Sequence, residues 1–398
     1  MFSVAVALAA LCSRHASAQF NAAHYLNLRA DYPAGELNWS HDVQGVAHDN
    51  NNWYITNTEV IWKIPVTQDL RTVSVSTPGV VVRTFANYPQ IGAYHHFGDP
   101  VVFRFSGADY LICPIENADS TCTSGVPGAA AIFRCADMSY VDHAPFPGQC
   151  NDAGWVAVDP TGVLVSSRQH VGTLNTSPPC ASPGLRFYTF DWNLLHNSNL
   201  ASMTFQREVH PLNEQGDCLE MATMQGGEFT PDGSLLYLLS GFHDDSNALA
   251  DREGIHVLET STYQRIAHST RGFGYFDYYY DPGFNSAGEP EGLTIWDLDD
   301  GRAPGIRGQL HVMRLDNDAL HDDVNFKHYT HVIRVSSANT TSCQFGTLSC
   351  PFNTFGAAHT LAWPGAEIRV LAGSYVGIPT ITKRIRVTAE GGTVRLSH

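Results

Sequence analysis

Two adjacent histidines, His95 and His96, stand just ahead of Gly98-Asp99-Pro100 in the stretch AYHHFGDPVVF. Imidazole is the side chain whose proton changes hands near neutral pH. A carboxylate beside it supplies either a proton-transfer partner or a hard oxygen ligand. The same residue types recur where a turn meets a short apolar run. Ahead of such runs stand His41, Asp42 and Gln44, then Asp152, then Gln225 and Glu228, then Glu289 and Glu291, and finally His359. Behind the returning runs stand Asn57 and Glu59, Glu116 and Asn117, Arg168 to His170, His243 to Asp245, and Tyr375.

Three chemistries fit these side chains. In Brønsted acid–base cleavage of a sugar polymer, His95, His96, His170 and Tyr279 are the candidate catalytic groups. Arg168, Gln44, Gln225 and His243 would then bind substrate. In metal-assisted hydrolysis, Asp99, Glu228 and Glu291 are the candidate ligands of Ca2+, with Glu116 nearby. In glycoside hydrolysis, two carboxyl groups drawn from Glu116, Glu228, Glu289 and Glu291 would act together. Each residue also has an ordinary use: an aspartate at a strand start caps a turn, and a single histidine is commonly a hydrogen-bonded surface group. The aromatic run FGYFDYYYDPGF offers flat faces for sugar rings or simply a strand. No Gly-x-Ser-x-Gly, HExxH, phosphate-binding glycine loop or EF-hand pattern occurs, which argues against serine hydrolase, zincin and nucleotide chemistry.

Such residues converge only if the elements behind them repeat. Helical periodicity is nearly absent, and short β-branched and aromatic runs end in Gly, Pro, Asn or Asp, so the chain reads as all-β. Paired runs recur as DVQGVAHDNNNWYITNT, FGDPVVFRFSGADYLICPIE, AGWVAVDPTGVLVSSRQH, QGGEFTPDGSLLYLLSGFHDD, PEGLTIWDLDDGRAPGIRGQLHVMRL and AAHTLAWPGAEIRVLAGSY. Third runs follow (EVIWKIPV, AAIFRCAD, LRFYTFDW, GIHVLETS, TKRIRVTA), and in places a fourth (VVVRTF, MTFQREV, YQRIAHS). Four-stranded units repeated along a chain predict a β-propeller. Openings near residues 44, 98, 155, 226, 292 and 360 predict six blades, with five or seven as alternatives. In a blade the second strand returns to the face where the first began, so the residues named above share one rim.

The first 18 of the 398 residues read as a signal peptide, with an apolar core and Ala-Ser-Ala before Gln19. Residues 19–398 then form a single secreted, extracellular domain. Eight cysteines follow Cys12. They predict disulfides, with Cys343–Cys350, Cys113–Cys122 and Cys135–Cys150 as candidate pairs. Sequons at Asn38, Asn175 and Asn339 fit a glycoprotein. The net charge of −16 argues against nucleic acid and anionic membrane partners. A monomer acting on an extracellular polysaccharide or oligosaccharide is the expectation, and a non-catalytic propeller that binds glycans or protein is the alternative.

The stretches QGVAHDNNNWYITNTEVIWKIPV and QGGEFTPDGSLLYLLSG are similar to blades of secreted propellers. The rim of histidine, tyrosine and arginine resembles the propeller polysaccharide lyases of the ulvan or rhamnose–glucuronate type. That resemblance implies elimination next to a uronate, using His95 or His96, His170 and Arg168. EPEGLTIWD is similar instead to calcium-binding propeller hydrolases of the phytase and lactonase kind, which implies Glu228 and Glu291 at a metal.

Overall fold

The computed structural model describes residues 25–117, 127–149, 153–167, 184–192, 203–221, 223–241, 254–268, 288–298, 300–306, 308–317, 322–341, 344, 346, 351–362, 366–383 and 385–398. Among these, five sheets, four antiparallel and one mixed, supply the antiparallel blades of a β-propeller. Strand β1 (Tyr25–Gly35) precedes blade one, which is β2 (Val43–His48), β3 (Asn52–Asn57), β4 (Val60–Pro65) and β5 (Val81–Thr84). Blade two is β6 (His96–Phe97), β7 (Val101–Phe105), β8 (Ala108–Glu116), β9 (Ala129–Arg134) and β10 (Tyr140–Pro145). Blade three is β11 (Ala157–Val158), β12 (Leu164–Ser166), β13 (Leu185–Thr189) and β14 (Thr204–Val209). Blade four is β15 (Met224–Phe229), β16 (Leu235–Ser240), β17 (Gly254–Glu259) and β18 (Gln264–His268).

Blade five is closed by the start of the described chain. Strands β19 (Gly288–Ile295), β20 (Leu310–Asn317) and β21 (Asp322–Val335) are its first three, and β1 pairs antiparallel with β21 as the fourth. A sheet curled into a ring needs a last seam, and here one blade takes strands from both ends of the ring. Lys327 on β21 meets Asp31 on β1 at 3.0 Å across that seam.

The sixth predicted blade is not a blade. Its residues form a short helix, α1 (Phe355–Leu361), capped by Thr354, followed by β22 (Glu367–Tyr375) and β23 (Arg386–Leu396). Strand β22 pairs in parallel with the end of β21, and β23 in parallel with β22. The apolar alternation that suggested a hairpin instead serves a separate core around Ile333, Phe352, Phe355 and Ile368. His359 and Tyr375 therefore leave the predicted rim. His359 Nε2 accepts from Thr382 N–H, and the Tyr375 hydroxyl contacts Leu371 O at 2.8 Å.

The blades pack face to face through apolar clusters. Trp53, Ile55, Trp296 and Phe326 lie between blades one and five, and Tyr54, Leu111, Ile115 and Phe133 between blades one and two. Two disulfide expectations fail in the second cluster. Cys113 and Cys135 are free thiols, buried among Ile115, Ala131 and Met138, and burial raises both pKa values. Cys218 is disulfide-bonded, and its partner lies outside the described residues, as do Cys343 and Cys350. The proposed signal segment is also outside them. No helix among the described residues is long and apolar enough to cross a membrane.

Candidate functional site

The Gly98-Asp99-Pro100 triplet interrupts the inner strand of blade two. Strands β6 and β7 both pair with β8, and three residues are left between them. The interruption throws Asp99 onto the propeller axis, where the carboxylate is fully buried. Its Oδ1 accepts from Val46 N–H at 2.9 Å and its Oδ2 from Gly227 N–H at 3.3 Å, and Leu293 N–H also donates to it. Its main chain donates to Gly154 O at 2.8 Å and accepts from Val156 N–H at 3.2 Å. One residue thus ties blade two to each of the other four. The approach is possible because glycines surround it. A Cβ on Gly226 would lie 2.7 Å from Asp99 Oδ2, and one on Gly45 or Gly292 would overlap Asp99 outright. Burial pushes the Asp99 carboxyl well above the usual range, against the pull of the three N–H groups. The axis is filled by this knot.

Above the knot, on the face where the first strands begin, side chains from different blades meet. His96 Nε2 lies 2.8 Å from Gln44 Oε1, joining blades two and one. With Gln44 accepting, Nε2 carries the hydrogen and Nδ1 keeps its lone pair. That Nδ1 faces Glu116 Oε1 at 3.7 Å. The contact follows from register, because His96 is the cross-strand partner of Glu116. Glu116 Oε2 accepts from Ala153 N–H at 2.8 Å, which brings in the segment leading to blade three. Burial raises the Glu116 pKa to about 7, opposed by the Ala153 N–H and by His95. Burial, aided by the neighbouring His95, lowers that of His96 to about 4, opposed by Asp42. Between those values the neutral pair is favoured, with the proton on the carboxyl group.

Blade five adds Glu289 and Glu291, both buried. Burial lifts Glu291 well above the usual carboxylate range, and the charges of Glu289, Asp42 and Asp99 lift it further. Asp42 is half-buried and holds a left-handed backbone, φ 51°. Such a conformation is uncommon for a residue with a Cβ. Gln225 of blade four is buried at the same end of its strand.

The sequence-predicted residues therefore divide. Gln44, His96, Glu116, Glu289 and Glu291 share the rim with Asp42. His95 is exposed beside it, with its N–H on Glu116 O. Asp99 lies beneath as the axial knot. Glu228 lies beyond Asp99 toward the opposite face, where it accepts from Ile295 N–H at 3.2 Å and burial raises its pKa to about 7. Asp99, Glu228 and Glu291 thus occupy successive depths of the axis, and the Asp99 oxygens are already engaged. Among the described residues no group of three or more His, Cys, Asp or Glu side chains has metal-holding geometry. Arg168, His170, His243 and Tyr279 lie outside the described residues. The His96–Glu116 contact was not foreseen as a pair. Its signal is the Ser106-Gly107 turn, from which strand pairing can be counted back to both residues.

No protein-family model matches the sequence, and no curated protein matches it. Among solved structures, a thermostable family-43 glycoside hydrolase is 13% identical over 76% of this chain and 92% of its own, with a TM-score of 0.43. The GH43_1 enzyme from Xanthomonas citri complexed with xylose is 12% identical over 74% and 89%, with a TM-score of 0.44. The Myxococcus xanthus glutaminyl cyclase is 8% identical over 76% and 97%, with a TM-score of 0.42. The likeness is one of fold.

Proposed function

We propose that this chain is a secreted carbohydrate-active enzyme that cleaves an extracellular polysaccharide or oligosaccharide by acid–base catalysis at the rim. The observation that carries the reading is the Glu116–His96 pair: a carboxyl group that keeps its proton to about pH 7 faces an unprotonated imidazole nitrogen across 3.7 Å. A proton donor matched to neutral pH is what departure of a sugar oxygen requires. In hydrolysis Glu116 protonates the leaving glycosidic oxygen, and Asp42 takes the proton of the attacking water. His96 stabilises the neutral carboxyl between turnovers, and Gln44 fixes the imidazole tautomer.

Elimination next to a uronate is the second reading. The closeness of His96 to Glu116 favours it, since acid and base would then act from one side of the ring. The charges of Asp42 and Glu289 at the rim favour hydrolysis, because a uronate carboxylate would enter beside them. Incubation with neutral and uronate-containing polysaccharides separates the two. Hydrolysis yields reducing ends without new ultraviolet absorbance, and elimination yields an absorbing unsaturated product. Glu116→Gln should lower turnover at least ~100-fold with a thermal midpoint no lower than the parent's. Failure of any glycan to be cleaved, with the folded protein at hand, would leave the rim as a binding surface.

A further inference from the structure

Blade one carries a cleft of about 500 Å3 beside the rim. Its size is that of a small-molecule site. Val60, Trp62 and Val82 give it an apolar strip. His41, Asp42 and Glu59 give it polar walls, with the hydroxyls of Thr58 and Thr84. Asn57 also lines it and is 5% exposed. The Asn57 amide nitrogen donates to Trp39 O at 2.9 Å and to His41 O, while its Oδ1 has no hydrogen-bond partner. Buried acceptors are ordinarily satisfied, and this one is closed off behind the cleft wall. Asp42 belongs to both places. It walls the cleft, and its charge acts on His96 and Glu291 at the rim. Cleft and rim therefore adjoin at Asp42.

We propose that this cleft is a subsite for one unit of a neutral oligosaccharide, next to the point of cleavage. The inference rests on the glycan-cleaving reading and adds the substrate class to it. An apolar strip beneath hydroxyls, an amide and carboxylates matches a sugar ring, which has an apolar face and a hydroxyl edge. Two carboxylates in the wall, Asp42 and Glu59, repel a uronate, a sulfated sugar or a phosphate. The subsite thus selects uncharged rings.

The test uses the full chain, with mannohexaose, cellohexaose, xylohexaose and an oligogalacturonate as probes. Binding is measured by calorimetry in the Glu116→Gln protein, so that turnover does not interfere. One neutral probe or more should bind, and the oligogalacturonate should not. Adding Glu59→Arg should weaken the neutral probe about tenfold and strengthen the acidic one. Thr84→Trp, which fills the cleft from its outer wall, should weaken the neutral probe at an unchanged thermal midpoint. With Glu116 intact, Glu59→Arg should raise KM about tenfold and leave kcat within about twofold. The proposal is overturned if no neutral probe binds, if both cleft variants bind as the parent does, or if the parent prefers the oligogalacturonate. If neutral probes bind as described and none is cleaved, the subsite stands and the catalytic reading falls.

Discussion

Replacing Glu116 by glutamine removes one titrating group and nearly keeps its shape. The amide oxygen can still accept from Ala153 N–H, the bond that Glu116 Oε2 makes at 2.8 Å. In the folded protein burial moves the carboxyl from its ordinary 4.5 to about 7. Between those pH values the folded state holds a proton that the unfolded chain has lost. The stabilisation is therefore fully present below pH 4.5 and is lost as pH rises through 7. The full loss is about 3 kcal/mol, from 1.36 kcal/mol per pH interval of one. His96 has the opposite sign. Its value falls from 6.5 to about 4, so its contribution is present above pH 6.5 and is lost as pH falls through 4. Between pH 4.5 and 6.5 the two slopes cancel in the parent protein, and Glu116→Gln exposes that of His96. The unfolding free energy of Glu116→Gln minus that of the parent should be near zero at pH 4 and reach about 3 kcal/mol at pH 8. Urea unfolding at fixed ionic strength measures it, and Glu228 and other shared groups drop out of the difference. A difference that is constant with pH, or that shrinks as pH rises, refutes the reasoning that burial holds this proton.

Asp99→Ala leaves the N–H groups of Val46, Gly227 and Leu293 without their acceptor; at roughly 1–3 kcal/mol for each buried unsatisfied donor, it should fail to fold or lose much of its thermal midpoint. Gly292→Ala puts a methyl group into Asp99 and the Gly45 backbone, so its unfolding midpoint should drop as far as that of Asp99→Ala, and a small drop would mean that the axis is loosely packed. Deleting residues through Gly35 removes β1 from the seam with β21 and should give insoluble protein or protein readily cut by protease. Alkylation after denaturation without reductant should label Cys113 and Cys135 and leave Cys218 unlabelled, as read by peptide mass spectrometry.

Blades one to four were legible because their hairpins are local. Asp159-Pro160-Thr161-Gly162 and Pro231-Asp232-Gly233 fix which residues pair, and alternation then assigns the faces. Blade five was only half legible. Its outer strand comes from Tyr25–Gly35 and pairs with residues about three hundred positions away, for which no local pattern exists. The last alternating segment misled for a related reason. Alternation reports a half-buried strand and says nothing about its neighbour, and here β21, β22 and β23 run parallel. His96 was readable as the histidine facing the rim, because neighbours on a strand point to opposite faces. Its pairing with Glu116 needed one more step, since the interruption at Gly98-Asp99-Pro100 shifts the count by one.

The blade number itself had a signal that alternation hides. A glycine stands in or just ahead of the inner strand of each blade: Gly45, Gly98, Gly154, Gly226 and Gly292. Three of these follow Gln44, Gln225 and Glu291. The requirement is steric. Five strands can close around one aspartate only if nothing larger than hydrogen projects where they meet. The would-be sixth unit runs Ala357-Ala358-His359-Thr360-Leu361, with no glycine at the matching place. A chain that needs its inner strands to touch must therefore write its blade count in glycines. In blades one and five the residue just before this glycine carries its side chain at the rim, whereas in blade two that residue is Phe97, which stacks on Phe85 in the core. Gln44 and Glu291 stand at that position in blades one and five, and His96 precedes it by one because of the interruption that places Asp99 on the axis.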